Sequence, residues 1–304
     1  MRGQRLLSPP GTTHSDKERS IIKKSTREFR HRDRIRHGDD DGCGKHADSP
    51  RRAVGATSSM SVATFTAYFD ASGTKRMKAM AFAGFVSGVK KWDRWKVQWE
   101  EILASEGVSA FHMTDFAGSE GEYKLWKGDT KRRRRFISEL VRCIKKNTNK
   151  GFSSGLYVTD YKEVNADFRL DEYVGKPYTL CGWACLGALE KWMMKKSVKK
   201  WAVLIAIEEG DEDQNELMEL ARSRSFKIVP RSKAEVRAFE AADLVGWKNR
   251  IVLQESLKIR LGTKEEADAI LKSLDPLEGV VHSNKGFDTQ SLRSLCVAHR
   301  IPRR

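Results

Sequence analysis

The sequence predicts an α/β protein in which a mixed sheet of about five strands is flanked by helices. From residue 65 onward, short apolar runs alternate with longer segments of helical periodicity. The first two apolar runs are joined by turn residues, which predicts a hairpin. Residues 201–207 form an uninterrupted apolar run, typical of a central strand buried on both faces.

The opening hairpin is predicted from two strands over residues 65–70 and 79–86. The segment Ala71-Ser72-Gly73-Thr74-Lys75 supplies the small and polar residues that turns favour. We therefore expect the two strands to pair.

The helix predicted over 90–105 carries a tryptophan face. Trp92, Trp95 and Trp99 lie three and four residues apart, so they share one side of the helix. This spacing favours packing against the sheet. Alternatively, the three rings would form a stacking platform for single-stranded bases.

A basic run opens the next predicted helix, over 130–146. Residues 110–112 predict a short strand before it, entering a loop over 113–128. The run begins at Lys131 and continues through Arg132, Arg133, Arg134 and Arg135. It predicts either a solvated helix face or a positive patch that holds phosphates.

The second half of the chain continues the alternation of strands and helices. Strands are predicted over 152–158, 201–207 and 226–229, and helices over 177–196, 212–222, 232–261, 264–273 and 288–298. Pro177 suits the first turn of its helix. Cys181 and Cys185 are predicted to be buried small residues rather than ligands.

Residues 1–60 differ from the rest of the chain. They lack apolar periodicity and hold fourteen Lys/Arg against eight Asp/Glu, which predicts a disordered basic tail. Zinc bound by His31, His37, Cys43 and His46 is an alternative, although the spacing matches no standard site. A further alternative for residues 1–60 is that translation starts at Met60. Residues 61–304 are predicted to form one domain with a C-terminal helical extension from about 262.

The formal net charge of +16 favours an anionic partner, and nucleic acid is the commonest. No apolar run approaches the roughly 20 residues that span a bilayer, so no membrane partner is expected. The five cysteines are an odd number without framework spacing, which predicts free thiols and a cytoplasmic location.

Three acids lie in surroundings that indicate a site. Asp70 ends the first strand, Glu208 ends the strand over 201–207, and Asp243 lies on an apolar helix face with Phe239 and Trp247. Acids at the carboxyl ends of strands point into the crevice where open α/β sheets bind ligands. If the three converge, their mutual repulsion is relieved by a divalent cation.

Mg²⁺ or Mn²⁺ is the expected cation, because both prefer carboxylate oxygen. Two such ions about 4 Å apart activate water and stabilise the leaving oxygen in phosphodiester cleavage. The alternative is that the acids act separately: Asp70 would cap the hairpin turn, Glu208 would be solvated, and Asp243 would pair with a Lys or Arg.

Several short motifs resemble the domain of unknown function 3800 (DUF3800) family. Tyr68-Phe69-Asp70-Ala71-Ser72-Gly73 resembles its opening strand motif, and Glu208-Glu209-Gly210-Asp211 its acidic strand end. Ser232-Lys233 followed by Phe239-Glu240-Ala241-Ala242-Asp243-Leu244-Val245-Gly246-Trp247 resembles its late helix. Phe111-His112-Met113-Thr114-Asp115-Phe116 resembles a segment after its first helix.

The resemblance covers roughly residues 65–260 and implies a ribonuclease H-like fold and a metal-dependent nuclease. It implies that Asp70, Glu208 and Asp243 bind the metal and that His112 and Asp115 lie near the site. His112 would serve as a proton shuttle, and Glu209, Glu240 and Asp115 as accessory residues. The sequence departs from the pattern at Ala71, where the family has a second acid, and at Glu240, where it has Gln.

The leading hypothesis is a nuclease that hydrolyses nucleic acid with Mg²⁺ or Mn²⁺ at Asp70, Glu208 and Asp243, while basic residues hold the phosphate backbone. A nucleic-acid-binding module of the same fold without activity is the alternative, favoured by Ala71. A phosphatase with Asp70 as nucleophile is a further alternative, since Asp70 to Thr74 loosely resembles the D-x-D-G-T motif of haloacid dehalogenase-type enzymes.

Overall fold

A six-stranded mixed sheet forms the centre of the protein. The computed structural model describes residues 63–73, 77–211, 213–260, 279–281 and 283–304. Their strands are β1 (Phe65–Ser72), β2 (Ala79–Gly88), β3 (Lys150–Tyr157), β4 (Val203–Glu208), β5 (Lys227–Arg231) and β6 (Ser283–Phe287). They lie in the order β5-β4-β1-β2-β3-β6.

Nine α-helices lie within these described residues. They are α1 (Val89–Ser105), α2 (Met113–Gly118), α3 (Thr130–Asn147), α4 (Val158–Asp167), α5 (Leu170–Val174), α6 (Pro177–Lys195), α7 (Gln214–Ser223), α8 (Ala238–Arg260) and α9 (Thr289–Ala298). Local chemistry sets several helix starts: Pro177 occupies the first turn of α6, and the Asp129 side chain caps α3 by accepting from the backbone N of Arg132.

The pairing of the strands brings two carboxyl ends to one edge of the sheet. β1, β2 and β3 form an antiparallel meander, whereas β1 pairs in parallel with β4, and β4 with β5. In this register Phe69 lies opposite Ile207. The residues that follow them, Asp70 and Glu208, are therefore neighbours at the same edge.

Each face of the sheet is covered by its own hydrophobic core. Ala67, Phe69 and Phe82 belong to the core beneath α4, α6 and α7. Alternate residues such as Phe85 face the other core, which α1, α3 and α8 cover. The predicted class, a mixed sheet flanked by helices, is therefore confirmed, with six strands rather than about five.

The tryptophan face of α1 is packed in the second core. Trp92, Trp95 and Trp99 are all buried, and the rings of Trp95 and Trp99 stack with centroids 4.7 Å apart. The predicted packing against the sheet is confirmed, and buried rings cannot serve as a stacking platform for bases. Cys181 and Cys185 are also buried, as predicted, and have free thiols.

Several predicted boundaries are wrong. Residues 110–112 form no strand, and the expected loop over 113–128 contains α2 and a 3-10 helix (Gly121–Trp126). α8 begins at Ala238 rather than at 232, because the backbone N of Glu235 and of Val236 donate to the carbonyl of Ser232 in a preceding turn. β4 begins at Val203, after a 3-10 turn.

The sixth strand was not predicted. β6 pairs in parallel with β3 at the edge of the sheet, in a segment that the sequence pattern predicts as a loop. Its five residues are too few and too polar for a strand to be recognised in the sequence, and its extended structure depends on hydrogen bonds to β3. The helix predicted over 288–298 is present as α9. The predicted tail and its zinc alternative, Thr74 and the helix over 264–273 lie outside the described residues.

None of the helices described is both long and apolar enough to cross a bilayer.

Gly84 provides a test of the register between β1 and β2. A Cβ on Gly84 would lie 2.2 Å from the carbonyl oxygen of Tyr68 and 2.3 Å from Cδ1 of Phe69, whereas a Cβ on Gly286 of β6 would meet nothing within 4 Å. We expect Gly84→Ala to lower the free energy of unfolding by about 3 kcal/mol or more, since overpacking of this kind forces backbone shifts. Gly286→Ala is the matched control and should change it by less than about 1 kcal/mol. Equal urea midpoints for both variants would contradict the register.

Candidate functional site

The three predicted acids converge on the ammonium group of Lys233. Lys233 Nζ lies 3.2 Å from Asp243 Oδ2, 3.4 Å from Asp70 Oδ2 and 3.6 Å from Glu208 Oε2. The acids come from β1, β4 and α8. The structure thus brings together residues that are far apart in sequence.

The sheet and α8 together explain this convergence. Parallel pairing places Asp70 beside Glu208, and α8 lies across β1 and β2. Phe239, one turn before Asp243, makes an edge contact with Tyr68 at 5.7 Å between ring centroids. The Asp243 carboxylate is also held from the other side, because the backbone N of Met113 donates to its Oδ2 at 3.0 Å.

Burial shifts the pKa values of several groups in this cluster. Burial and a hydrogen bond with Glu208 raise the pKa of Asp70 well above its usual range, while the charge of Lys233 opposes the rise. Asp211 lies nearby, and its burial and the charge of Glu208 raise its pKa to about 6, against a hydrogen bond from Tyr178. Burial lowers the pKa of Lys233, but the three acids outweigh it and raise that pKa, so the side chain is an ammonium ion.

His112 lies at the solvent side of the cluster. Its Nδ1 is 3.2 Å from Asp115 Oδ2, and its Nε2 is 3.9 Å from Asp243 Oδ2. About half of the His112 side chain is exposed. His112 therefore lies beside Asp243, and Asp115 contacts the other side of its ring.

The two predicted accessory glutamates occupy different surroundings. Glu240 is buried, and its Oε2 accepts from Trp99 Nε1 at 2.7 Å and from the backbone N of Phe111 at 3.0 Å. Its Oε1 accepts from Arg237 Nη1 at 3.2 Å. Both oxygens of Glu240 therefore hold neighbouring structure, while the side chain of Glu209 is exposed.

The basic run of α3 is largely engaged in contacts within the protein. Arg132 and Arg135 pair with Glu106 at 2.8 and 2.5 Å. Arg133 is buried and donates to the carbonyl of Phe116 at 2.6 Å. Arg134 is exposed. The nucleic-acid role of this run stays a prediction.

The chemistry of the three carboxylates suits a divalent cation, whereas the distances between them do not form a ready coordination site. Among the residues described, no group of three or more metal-ligating side chains is arranged to hold an ion. The three carboxylates nevertheless present the hard oxygen ligands that Mg²⁺ and Mn²⁺ prefer. Their oxygens surround the ammonium at 3.2 to 3.6 Å, longer than the roughly 2.1 Å of a Mg–O bond. An ion would need these side chains to close around a position beside Lys233.

The sequence assigned no role to three residues that lie at or beside the acid cluster, namely Lys233, Asp211 and Tyr178. Ser232-Lys233 and Asp211 belong to motifs that carry the family resemblance. The available signal was position: Lys233 follows β5, the strand next to β4, by two residues. A lysine there reaches the same sheet edge as Glu208.

The comparisons with known proteins give limited information. No family model and no curated protein matches the chain, so membership of the DUF3800 family stays a prediction. Among solved structures, the chain is similar to a chain of the PCNA:RNase HII complex from Archaeoglobus fulgidus, with 15% sequence identity and a TM-score of 0.35. The match covers 70% of this chain and 88% of that chain. A likeness at this score carries no argument, and the fold class stands on the strands and helices themselves.

Glu240 is expected to act as a structural acceptor. Glu240→Leu should lower the free energy of unfolding by roughly 2–6 kcal/mol, because two buried donors lose their acceptor at about 1–3 kcal/mol each. Glu240→Gln keeps an acceptor oxygen and should stay within about 1 kcal/mol of the parent protein. Urea denaturation measures both variants, and equal losses would show that the acceptor oxygen is not what matters.

Glu106 predicts a pH dependence. Burial raises its pKa, but hydrogen bonds from Arg135 and Arg132 outweigh burial and leave the pKa below its usual value. A depressed carboxyl pKa adds stability above the unfolded-state pKa, and that stability is lost as pH falls through the folded-state pKa. Glu106→Gln should therefore be less stable than the parent at pH 7, and the difference should vanish in acid. Thermal melts from pH 7 down to about 3 measure it, and a constant difference would refute the assignment.

Proposed function

We propose that the protein is a divalent-metal-dependent nuclease that hydrolyses phosphodiester bonds of nucleic acid. One observation carries the proposal: Asp70, Glu208 and Asp243 meet at a single point at the carboxyl edge of the sheet. Open α/β sheets bind ligands at this edge. Buried acids that must share such a point are typical of functional sites rather than of a stabilising core.

Asp70, Glu208 and Asp243 would hold Mg²⁺ or Mn²⁺ through their carboxylate oxygens. The ion would supply an activated water and charge stabilisation at the departing oxygen. Met113 N keeps Asp243 oriented towards the cluster. His112 Nε2 faces Asp243 from the solvent side, so His112 would pass a proton between the reacting group and water, with Asp115 fixing its ring.

The charge of the chain supports a nucleic-acid substrate. Of the +16, residues 61–304 carry +10. A positive surface around a local acid cluster attracts a polyanion and leaves cation binding to the acids. Glu240 and Glu209 are left out of this proposed ligand set, because Glu240 supports the 108–113 segment and Glu209 faces solvent.

The presence of Ala71, where the family pattern has a second acid, is compatible with the proposed metal site. The Ala71 side chain packs with the core on the opposite face of the sheet from α8. An acid at that position would start from the other face of β1 and would not lie beside Asp243. No observation favours the phosphatase, and Ser72, which stands where that motif has its second Asp, accepts from the buried Arg250 Nε at 3.0 Å.

The acid cluster can be tested by cleavage of labelled single- and double-stranded DNA and RNA. We expect the full chain to cleave at least one of them with Mg²⁺ or Mn²⁺ and to lose activity with a chelator. Asp70→Asn and Asp243→Asn should each reduce the rate by more than the roughly 100-fold that loss of an outer-shell partner costs. Asp93→Asn is the matched control, since Asp93 is an exposed acid on α1.

Retention of metal-dependent cleavage in Asp70→Asn would show that the acids are not the site. Salt-sensitive binding of nucleic acid without any cleavage would instead favour a binding module.

A further inference from the structure

The ammonium group of Lys233 occupies the point on which the three proposed ligands converge. We propose that Lys233 is a built-in cation that stands in for one of the two divalent ions of a two-metal centre, so that the site binds a single divalent ion. This inference rests on the proposed function, and it names how that site differs from a two-metal centre.

Geometry is the first support. Nζ lies within 3.6 Å of an oxygen of each of the three carboxylates, so Lys233 is shared among three acids rather than paired with one. Its ammonium is a compact point charge with three donors, which suits three separate acceptors. Lys233 thus bridges β1, β4 and α8 as a metal ion would.

Charge balance is the second support. The carboxylates of Asp70, Glu208 and Asp243 supply at most three negative charges, and the ammonium of Lys233 offsets one of them. One divalent ion neutralises the remainder, whereas a second would place further positive charge beside a largely buried ammonium, which is costly.

The position of Lys233 also leaves it partly open to solvent. About a quarter of its side chain is exposed, while Asp70 is almost completely buried. The turn at Ser232 anchors the backbone beside it, through hydrogen bonds from the backbone N of Glu235 and of Val236. Lys233 is therefore held where the cluster opens to solvent.

Calorimetric titration of the full chain with Mn²⁺ tests the proposal through stoichiometry rather than activity. We expect one ion per chain in the parent protein and two in Lys233→Met, which keeps the length of the side chain and removes its charge. Electron paramagnetic resonance should show a spin-coupled manganese pair only in Lys233→Met. Lys233→Arg keeps the charge and should bind one ion. Lys227→Met is the matched control, because Lys227 is exposed on β5.

Two ions in the parent protein would overturn the proposal, and so would an unchanged count of one in Lys233→Met. Binding of no ion by the parent and one ion by Lys233→Met would also overturn it, because Lys233 would then exclude the metal. If Lys233→Met fails to fold, Lys233→Gln, which also removes the charge, takes its place in the count. Metal-dependent cleavage with two bound ions would refute this inference and leave the proposed function intact, whereas absence of both binding and cleavage would refute both.

Discussion

The parallel pairing of β1 with β4 is the constraint on which the rest of the site depends. It sets Asp70 and Glu208 side by side at a buried sheet edge, where two carboxylates repel each other and lose water. An effective dielectric constant of about 20 gives roughly 5 kcal/mol of attraction for a unit charge pair near 3.4 Å, comparable to the several kcal/mol that desolvation of an ion costs. The single charge of Lys233 therefore offsets part of the penalty, and the cluster still favours further positive charge.

α8 turns this pair of acids into a site. Asp243 contributes the third carboxylate, and Glu240, one turn earlier, ties the same helix to Trp99 of α1 and to the backbone at Phe111. The 108–113 segment that these bonds hold brings the Met113 N–H and His112 to Asp243. A buried glutamate that makes no metal contact thus positions the groups that do face the cluster, which explains why a charged residue is tolerated on an apolar helix face.

The sequence predicted what depends on periodicity and could not predict what depends on long-range pairing. The acids Asp70 and Glu208 near strand ends and the apolar surroundings of Asp243 were visible in the sequence, and these residues meet in the structure. The predicted end of the first strand at Asp70 is wrong, because β1 continues to Ser72 through its pairing with β2. β6 was missed because its polar sequence forms a strand only through pairing with β3. Lys233 received no role because the pairing of β5 with β4, which brings it to the acids, is a long-range contact. The partners of Arg132 and Arg135 were hidden for the same reason, since Glu106 lies on another segment.

The contrast between the overall charge and the local site is the feature that any function must explain. A chain of net charge +16 places three acids and Asp211 at one buried edge, where stability alone would favour apolar residues. Positive charge at distance draws in a polyanion, and local negative charge keeps that polyanion out of the cluster unless a cation lies between them. Lys233 supplies one such cation, but it is already shared among three carboxylates. In the proposed function, a bound phosphodiester would therefore need additional positive charge at this edge, and a divalent ion held by the same acids would be the simplest source of that charge.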